Sequence, residues 1–534
     1  MIGYEIQSPF ERPTMNQSNH IDRNVPRTVL QPSLGASFVN PPCRLRQNRW
    51  LPKGRLFFLG LAVTLSAGCD SAPPTAGSTG SGGAAVGNGN VGGGNGGASA
   101  GGAGGAGGVA DAGPVVTLNG TLSVSSATSV PVEASAFGIN YWSWPSGYGS
   151  NLSGTETPMS ALHPKILRIG GTNNDTNAPN PFDATQLAIA VTYAKAVGSQ
   201  ILWQVPLLND DSGATPTPQT AADMVTLANV TNNYAIKYFS IGNEPDLYAT
   251  NVATLSTFSA TDYCAKVSAF VPAMKAVDST IKIVGPDLSW KYQSGDNDWL
   301  TLILQQCGQY FDIVSVHRYP FDPTVSTAAN AVTDADTFKA VIASLRSKMA
   351  NAGYGGLPLA ITETNITWDG TPAKSVLDAS PGTLPAGLWM ADTLGVGLSQ
   401  GLWSIEPWST REGWTLGFIS PTNVLRPSYY AALLFAGHFG TTAIGVTASP
   451  ANVHAYASRA ATGNATQLII VNYNAEAYAL DVEQTGVATN PPAASVTALP
   501  MSITAANVTD TGTVTTWTYS QTEFSTGQGP TASN

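Results

Sequence analysis

The chain has 534 residues, 34 acidic against 24 basic side chains and a formal charge of -10, with 43% hydrophobic and only 11% charged residues. That is ample apolar material for a buried core and too much length for one ordinary domain. The acidic balance argues against nucleic acid or a polysulfated glycan as partner, because neutralising phosphate or sulfate needs clustered Lys and Arg and no such cluster follows residue 56.

Residues 1–69 read as a leader. Arg44, Arg46, Arg49, Lys53 and Arg55 precede a short apolar run, Leu56 to Leu65, which meets Ser66-Ala67-Gly68-Cys69. This is the pattern of a secretory signal with a small-residue cleavage site, and the run is too short to span a bilayer as a stable anchor. Leu65-Ser66-Ala67-Gly68-Cys69 resembles the lipobox of bacterial lipoproteins, with the usual Leu one place early and Ser66 in its slot. The resemblance implies that Cys69 becomes the lipidated first residue of an exported protein, met by the membrane through that lipid alone. An ordinary signal peptide cut nearby is the alternative. Residues 1–43 are long for a signal n-region, so the true start is expected further along.

Residues 70–114 are almost entirely Gly, Ala, Ser and Asn. Such a composition buries too little apolar surface to fold and behaves as a flexible tether. Its glycines formally match G-x-G-x-x-G, but no strand precedes and no helix follows to give a phosphate cradle.

Beyond the tether, strand-like and helix-like segments alternate. Eight strands are expected at 137–142, 166–171, 201–208, 236–243, 281–287, 313–319, 359–364 and 401–408, with helical periodicity at 182–197, 221–232, 259–277, 335–349 and 384–399. Eight βα units match an α/β fold of the closed (β/α)8 type, placed at 137–427. From 428 to 534 short alternating runs separated by Gly, Asn, Pro and Thr read as an antiparallel β-sandwich. The segment 115–136 has the same character and is expected to join that sandwich across the barrel.

Cys264 and Cys307 fall on two expected helices; an exported chain permits a disulfide between them, and two separate buried thiols are the alternative. The five histidines are too scattered for a zinc site, and no metal or cofactor is expected. Gly397-Leu398-Ser399-Gln400-Gly401 matches G-x-S-x-G, but a nucleophile elbow needs strand then helix and here the order is reversed.

Two strands end in a glutamate: Ser240-Ile241-Gly242-Asn243-Glu244-Pro245-Asp246, the fourth, and Leu359-Ala360-Ile361-Thr362-Glu363-Thr364-Asn365, the seventh. At a barrel mouth they would face each other, and paired carboxyl groups are the machinery of glycoside hydrolysis. Arg168, ending the second strand, is the candidate cation to keep one of them ionised. Trp142, Trp403 and Trp408, at expected strand mouths, are candidate platforms for sugar rings.

This arrangement resembles the large clan of retaining (β/α)-barrel glycosidases, whose acid/base follows an Asn on strand four and whose nucleophile ends strand seven. By that resemblance Glu244 is the acid/base, Glu363 the nucleophile, Asn243 a contact to the sugar 2-hydroxyl, and His317 and Tyr319 a pair that orients the nucleophile. Within the clan the chain is most similar to the β-glucuronidase and heparanase family over about residues 115–534. Arg168-Ile169-Gly170-Gly171-Thr172-Asn173-Asn174-Asp175 carries this likeness, with Asp175 as a further binding candidate; so do the two glutamate motifs and, more weakly, Arg426-Pro427-Ser428-Tyr429-Tyr430. Thr172 and Asn174 depart from that family's pattern. Glu406 adds a carboxylate at the eighth strand that, at the mouth, would repel a uronate. The expected substrate is a glycan or glycoside. A β-xylosidase, endoglucanase or xyloglucanase of a neighbouring family is one alternative, and a non-catalytic glycan-binding lipoprotein another.

Overall fold

The computed structural model describes residues 116–533 apart from 142–151, 177–183, 210–212, 293–297, 371–378, 413–414, 462–464 and 486–492. The expected leader, its Cys69, the tether and Trp142 lie outside the described residues. The first strand, β1 (Thr117–Pro131), belongs to a second sheet taken up below. The next eight run parallel, each beside its predecessor: β2 (Gly138–Tyr141), β3 (Ile166–Ile169), β4 (Gln200–Val205), β5 (Tyr238–Ile241), β6 (Lys282–Leu288), β7 (Ile313–Arg318), β8 (Leu359–Thr364) and β9 (Ser404–Pro407). Phe137 bridges Ile405, and the Ile405 amide donates to Ala136 O at 3.0 Å, so the last strand returns to the first.

The barrel interior changes character one pleat at a time. Ile166, Leu202, Val284, Ile313, Ala360 and Trp403 pack with Tyr238 into an apolar floor at the N-terminal ends of the strands. Side chains two residues further along a strand point the same way. From Ile166, Leu202, Tyr238, Ile313 and Ala360 that step lands on Arg168, Gln204, Ser240, Ser315 and Thr362, all buried. Above an apolar plug the chain therefore builds a polar layer, which must find its hydrogen bonds inside. Trp403 is thereby corrected as a site residue. It precedes β9, at the end of the barrel opposite the mouth, and its ring stands 5.0 Å from that of Tyr238.

Helices at Ala184–Val197, Ala260–Val277, Ala328–Asn351 and Leu384–Ser399 cover the barrel near their expected positions, and Pro218–Val225 continues as the π-helix Thr226–Thr231. Thr217, Ser259, Thr327 and Thr383 accept backbone N–H groups as N-caps, which fixes where four of these begin. Cys264 and Cys307 form a disulfide, with Cα atoms 5.5 Å apart, tying Ala260–Val277 to Trp299–Cys307.

The segment expected to open the sandwich is instead the helix Pro427–His438. Proline at its first position suits a helix start. It packs on Leu384–Ser399 on one side and the second sheet on the other, so its sequence is apolar nearly all round and shows no amphipathic period. The sheet then follows as β10 (Thr442–Ala448), β11 (Val453–Arg459), β12 (Thr466–Asn472), β13 (Ala477–Thr485), β14 (Ala494–Ala498), β15 (Ser502–Val508), β16 (Val514–Tyr519) and β17 (Thr531–Ser533). Its spatial order is β14-β13-β1-β10-β11-β12-β15-β16-β17.

Of the eight contacts between neighbouring strands of this sheet seven are antiparallel; in the other, β1 runs parallel to β13, with Leu122 opposite Val482. The sheet folds over its own core of Leu122, Val124, Leu468, Ile470, Leu480 and Val496. Alternate residues Ile469, Val471, Ile503 and Ala505 face the other way and join the core of the barrel and its helices. Among the described residues no helix is long and apolar enough to cross a membrane.

Candidate active site

Arg168 is the hub of the polar layer. Its Nη1 donates to Glu363 Oε1 at 2.7 Å and Asn140 Oδ1 at 2.9 Å, and its Nη2 to Asn243 Oδ1 at 2.9 Å and Asp287 Oδ2 at 3.2 Å. Burial works against its charge, but Asp287, Glu363 and Glu406 more than offset that and hold the guanidinium above its ordinary value. Asp287 is steadied in turn by Ser315 Oγ and by Thr362 Oγ1, the latter at 2.6 Å. Despite full burial, Arg168, His317 and those hydroxyls keep the Asp287 carboxyl below its usual range.

Glu363, at the end of β8, faces donors at both oxygens: Arg168 on Oε1 and the Tyr319 hydroxyl on Oε2 at 2.9 Å. Glu244 follows β5 in a left-handed backbone conformation, φ 49°, uncommon for a non-glycine residue. Its N–H donates to Asp287 O at 3.1 Å and its carbonyl accepts from Leu247 N at 2.8 Å, which hold the turn. Gly242, two residues before, also has positive φ, and a Cβ there would lie 2.7 Å from the Tyr248 hydroxyl. Burial, with the nearby negative charge of Asp246, pushes the Glu244 carboxyl up to about 8. Its side chain nonetheless keeps 15% of its surface exposed, so it is reachable from the mouth.

His317 stands between the two acids. Its Nδ1 is 3.0 Å from Glu244 Oε1 and 3.5 Å from Glu363 Oε2, and its Nε2 is 3.4 Å from Arg168 Nη2. Arginine only donates, so Nε2 takes the acceptor role and Nδ1 carries the proton toward the carboxyl groups. Burial, reinforced by Arg168, lowers the His317 pKa and keeps the ring neutral. Ligand atoms of Glu244, His317 and Glu363 lie within 4.8 Å of one another and form the described cluster that could hold a metal ion. Arg168, in contact with Glu363 and His317, places a positive charge against any cation there.

Of the residues singled out in the sequence, Arg168, Asn243, Glu244, His317, Tyr319 and Glu363 come together. Asp175 does not face this space. It is fully buried and accepts from Leu207 N at 2.8 Å, Asn243 N at 3.2 Å and the Tyr248 hydroxyl, so it positions Asn243 from behind. Burial pushes its carboxyl up to about 7. Glu406 is also corrected. It is wholly buried one pleat below the mouth, where a Cβ on Gly138 would come within 2.7 Å of its Cγ, and burial pushes its carboxyl up to about 8. Alternation along β9 turns Ile405 outward to the helices and Glu406 into the barrel, where it has no exposed surface.

Trp408, after β9, is half-buried and lies over Gly171, where a Cβ would meet its ring at 2.5 Å; its Nε1 donates to Glu412 Oε2 at 3.0 Å. Sequence reading missed Glu412, Asp287, Asn140 and Asp246. The signal for Asp287 was present, a third acid ending a strand in Gly285-Pro286-Asp287-Leu288.

Residues 193–377, which contain both glutamates, match the family described as glycosyl hydrolase catalytic core. The protein is a glycoside hydrolase. Solved glycoside hydrolases share its fold. An α-L-arabinofuranosidase from Thermotoga maritima matches with a TM-score of 0.57 and 16% identity, over 75% of this chain and 98% of that one. A bifunctional glucanase-xylanase from a metagenome library gives 0.56 and 15%, over 72% and 98%. A family 44 xyloglucanase from Paenibacillus polymyxa gives 0.54 and 14%, over 72% and 98%. No curated protein matches this glycoside hydrolase in sequence.

Proposed function

We propose that the protein is a retaining O-glycoside hydrolase that cleaves a β-linked glycan or glycoside by double displacement. One observation carries this reading: facing oxygens of Glu244 and Glu363 lie within 4.8 Å. Retaining enzymes hold their carboxyl groups about 5–5.5 Å apart, whereas inverting ones leave room for a water at about 6.5–9.5 Å. Glu363 attacks the anomeric carbon as the glycosidic C–O bond breaks, and Glu244 passes its proton to the departing oxygen. Glu244, now a carboxylate, takes a proton from water as that oxygen attacks the same carbon and releases Glu363. Asn243, held by Arg168 through Oδ1, is placed to meet the sugar 2-hydroxyl, a contact that strengthens as the transition state develops.

For the sugar, a β-glucuronidase-like reading gains from the withdrawal of Glu406, which leaves no carboxylate from β9 to repel a uronate. Endo action on a glucan, xylan or xyloglucan is the second reading. It is favoured by two exposed tryptophans on the rim, Trp290 after β6 and Trp368 after β8, 38% and 51% exposed, and it accords with what the glucanase and xyloglucanase of like fold are named for. We further infer export with a lipid on Cys69, a reading that the Cys264–Cys307 disulfide supports because such bonds persist in oxidising compartments.

The test is hydrolysis of aryl β-glucuronide, glucoside, xyloside, galactoside and α-L-arabinofuranoside, with xyloglucan and β-glucan alongside. NMR of the first product is expected to show the substrate's own anomer. The inverted anomer, or full turnover by Glu363→Ala, overturns the mechanism. Binding without turnover throughout points to a glycan-binding protein instead.

A further inference from the structure

We infer that Trp290 is a platform for a sugar ring on the leaving-group side of the scissile bond, which makes the substrate an oligo- or polysaccharide; this rests on the hydrolase reading above. Glu244 is the group that protonates the leaving oxygen, so whatever leaves lies on its flank of the mouth. Trp290 is fixed to that flank. Asp246, two residues after Glu244 and wholly buried, accepts three consecutive backbone N–H groups, from Ser289 at 3.0 Å, Trp290 at 3.1 Å and Lys291 at 3.0 Å.

The next residue closes the other side of the clamp, since the Tyr292 hydroxyl donates to His317 O at 3.0 Å. The Trp290 loop is thus bound to both the acid/base turn and the strand of the histidine between the two carboxyl groups. On this anchored backbone the indole itself stays 38% exposed, while Trp203 and Trp389 are buried to within 1%. Lys291 Nζ lies over the Trp290 ring, 5.6 Å from its centre, and over that of Trp299 at 4.8 Å, so the cation backs one face of the indole and the sugar is offered the other. A rigid, half-open aromatic face beside a proton donor fits the apolar face of a pyranose better than it fits a small alkyl leaving group.

The experiment compares wild type, Trp290→Ala and Trp290→Phe on two substrates of the sugar that the aryl panel releases: its glycosyl fluoride, whose leaving group fills no ring site, and its β-linked oligosaccharide. Loss of stacking predicts that Trp290→Ala lowers kcat/KM on the oligosaccharide about three- to tenfold more than on the fluoride, with Trp290→Phe recovering most of the difference. Equal losses on both, or none, overturn the platform. A binding arm separates the two readings: quenching of tryptophan fluorescence by xyloglucan and β-glucan in Glu363→Ala, with and without Trp290→Ala. Quenching that depends on Trp290, with no turnover by the wild type, sinks the hydrolase reading and keeps the platform, and turnover by the wild type with quenching indifferent to Trp290 does the reverse.

Discussion

In the proposed mechanism the alkaline limit of the reaction is set at Glu244. Its carboxyl, pushed up to about 8 by burial and the charge of Asp246, must hold its proton when the leaving oxygen departs. Deprotonation removes the acid, so kcat/KM is expected to fall about tenfold per unit above about pH 8. Glu244→Gln should abolish that limb and lower the rate on unactivated oligosaccharides about 100- to 10,000-fold, while glycosyl fluorides lose far less because fluoride leaves without a proton. An alkaline limb that survives Glu244→Gln would assign it to another group.

A second expectation at this scale concerns metal. Arg168 donates to Glu363 at 2.7 Å and faces His317, so a divalent cation among Glu244, His317 and Glu363 would meet a fixed positive charge. Dialysis against EDTA should leave turnover unchanged; loss restored by a divalent ion would reverse the assignment. That Glu244 and Glu363 come together was legible because each glutamate ends an apolar run, a local pattern. Trp403 was misplaced because the expected strand began too early, and a residue at a strand's start lies at the opposite end of the barrel from one at its finish. The depth of Glu406 was hidden because alternation fixes which way a side chain points only once the register is known, and that of Asp175 because it sits on the short helix Thr172–Thr176, to which strand alternation does not apply.

Among the elements, Leu384–Ser399 is squeezed from two sides. Gly387, Gly395 and Gly397 let it approach Pro427, Tyr456 and Ile405; a Cβ at Gly395 would stand 2.4 Å from the Tyr456 ring. That ring cannot swing aside freely, since its hydroxyl donates to Asp392 Oδ1 at 2.9 Å, where Tyr473 and His454 also converge on the same carboxylate. Gly395→Ala should therefore destabilise the protein by about 1–3 kcal/mol, against the gain of up to about 1 kcal/mol that alanine brings to an exposed helix. A higher Tm in calorimetry would show that the helix can move away from the sheet. Pro427–His438 was not read as a helix because its short run, apolar nearly all round, carries no amphipathic period. The helices with one solvent face, such as Ala328–Asn351, kept that period and were found.

At the scale of the whole molecule, buried acids decide how stability follows pH. Glu244 and Glu406 are raised to about 8, and Asp175 and Glu412 to about 7, by burial above all. Each keeps its proton in the folded state after the unfolded chain has lost it. Stability is then fully present below their ordinary values near 4 and is lost as pH rises toward 8. Asp278, Asp287 and Asp312, held below their usual range, act in the opposite sense and withdraw support in strong acid. Tm should peak in mildly acid buffer and fall between pH 5 and 8.5, and Glu406→Gln, which removes a charge that has no solvent, should flatten the fall. An unchanged slope in that variant would mean that Glu406 ionises without penalty.

The placement of β1 has a consequence in time. Leu122 pairs with Ala448 and with Val482, so the first described strand is made before the barrel and its partners are made after it. At about 5–20 residues per second of synthesis, the strand waits on the order of tens of seconds for a neighbour. A long unpaired strand is an invitation to aggregate. Its composition answers that hazard: within Thr117–Pro131 only Leu122 and Val124 are buried in the finished core, and most of the rest are Ser, Thr, Asn, Gly and Ala. β1 is sticky enough to complete the sheet and bland enough to be kept waiting.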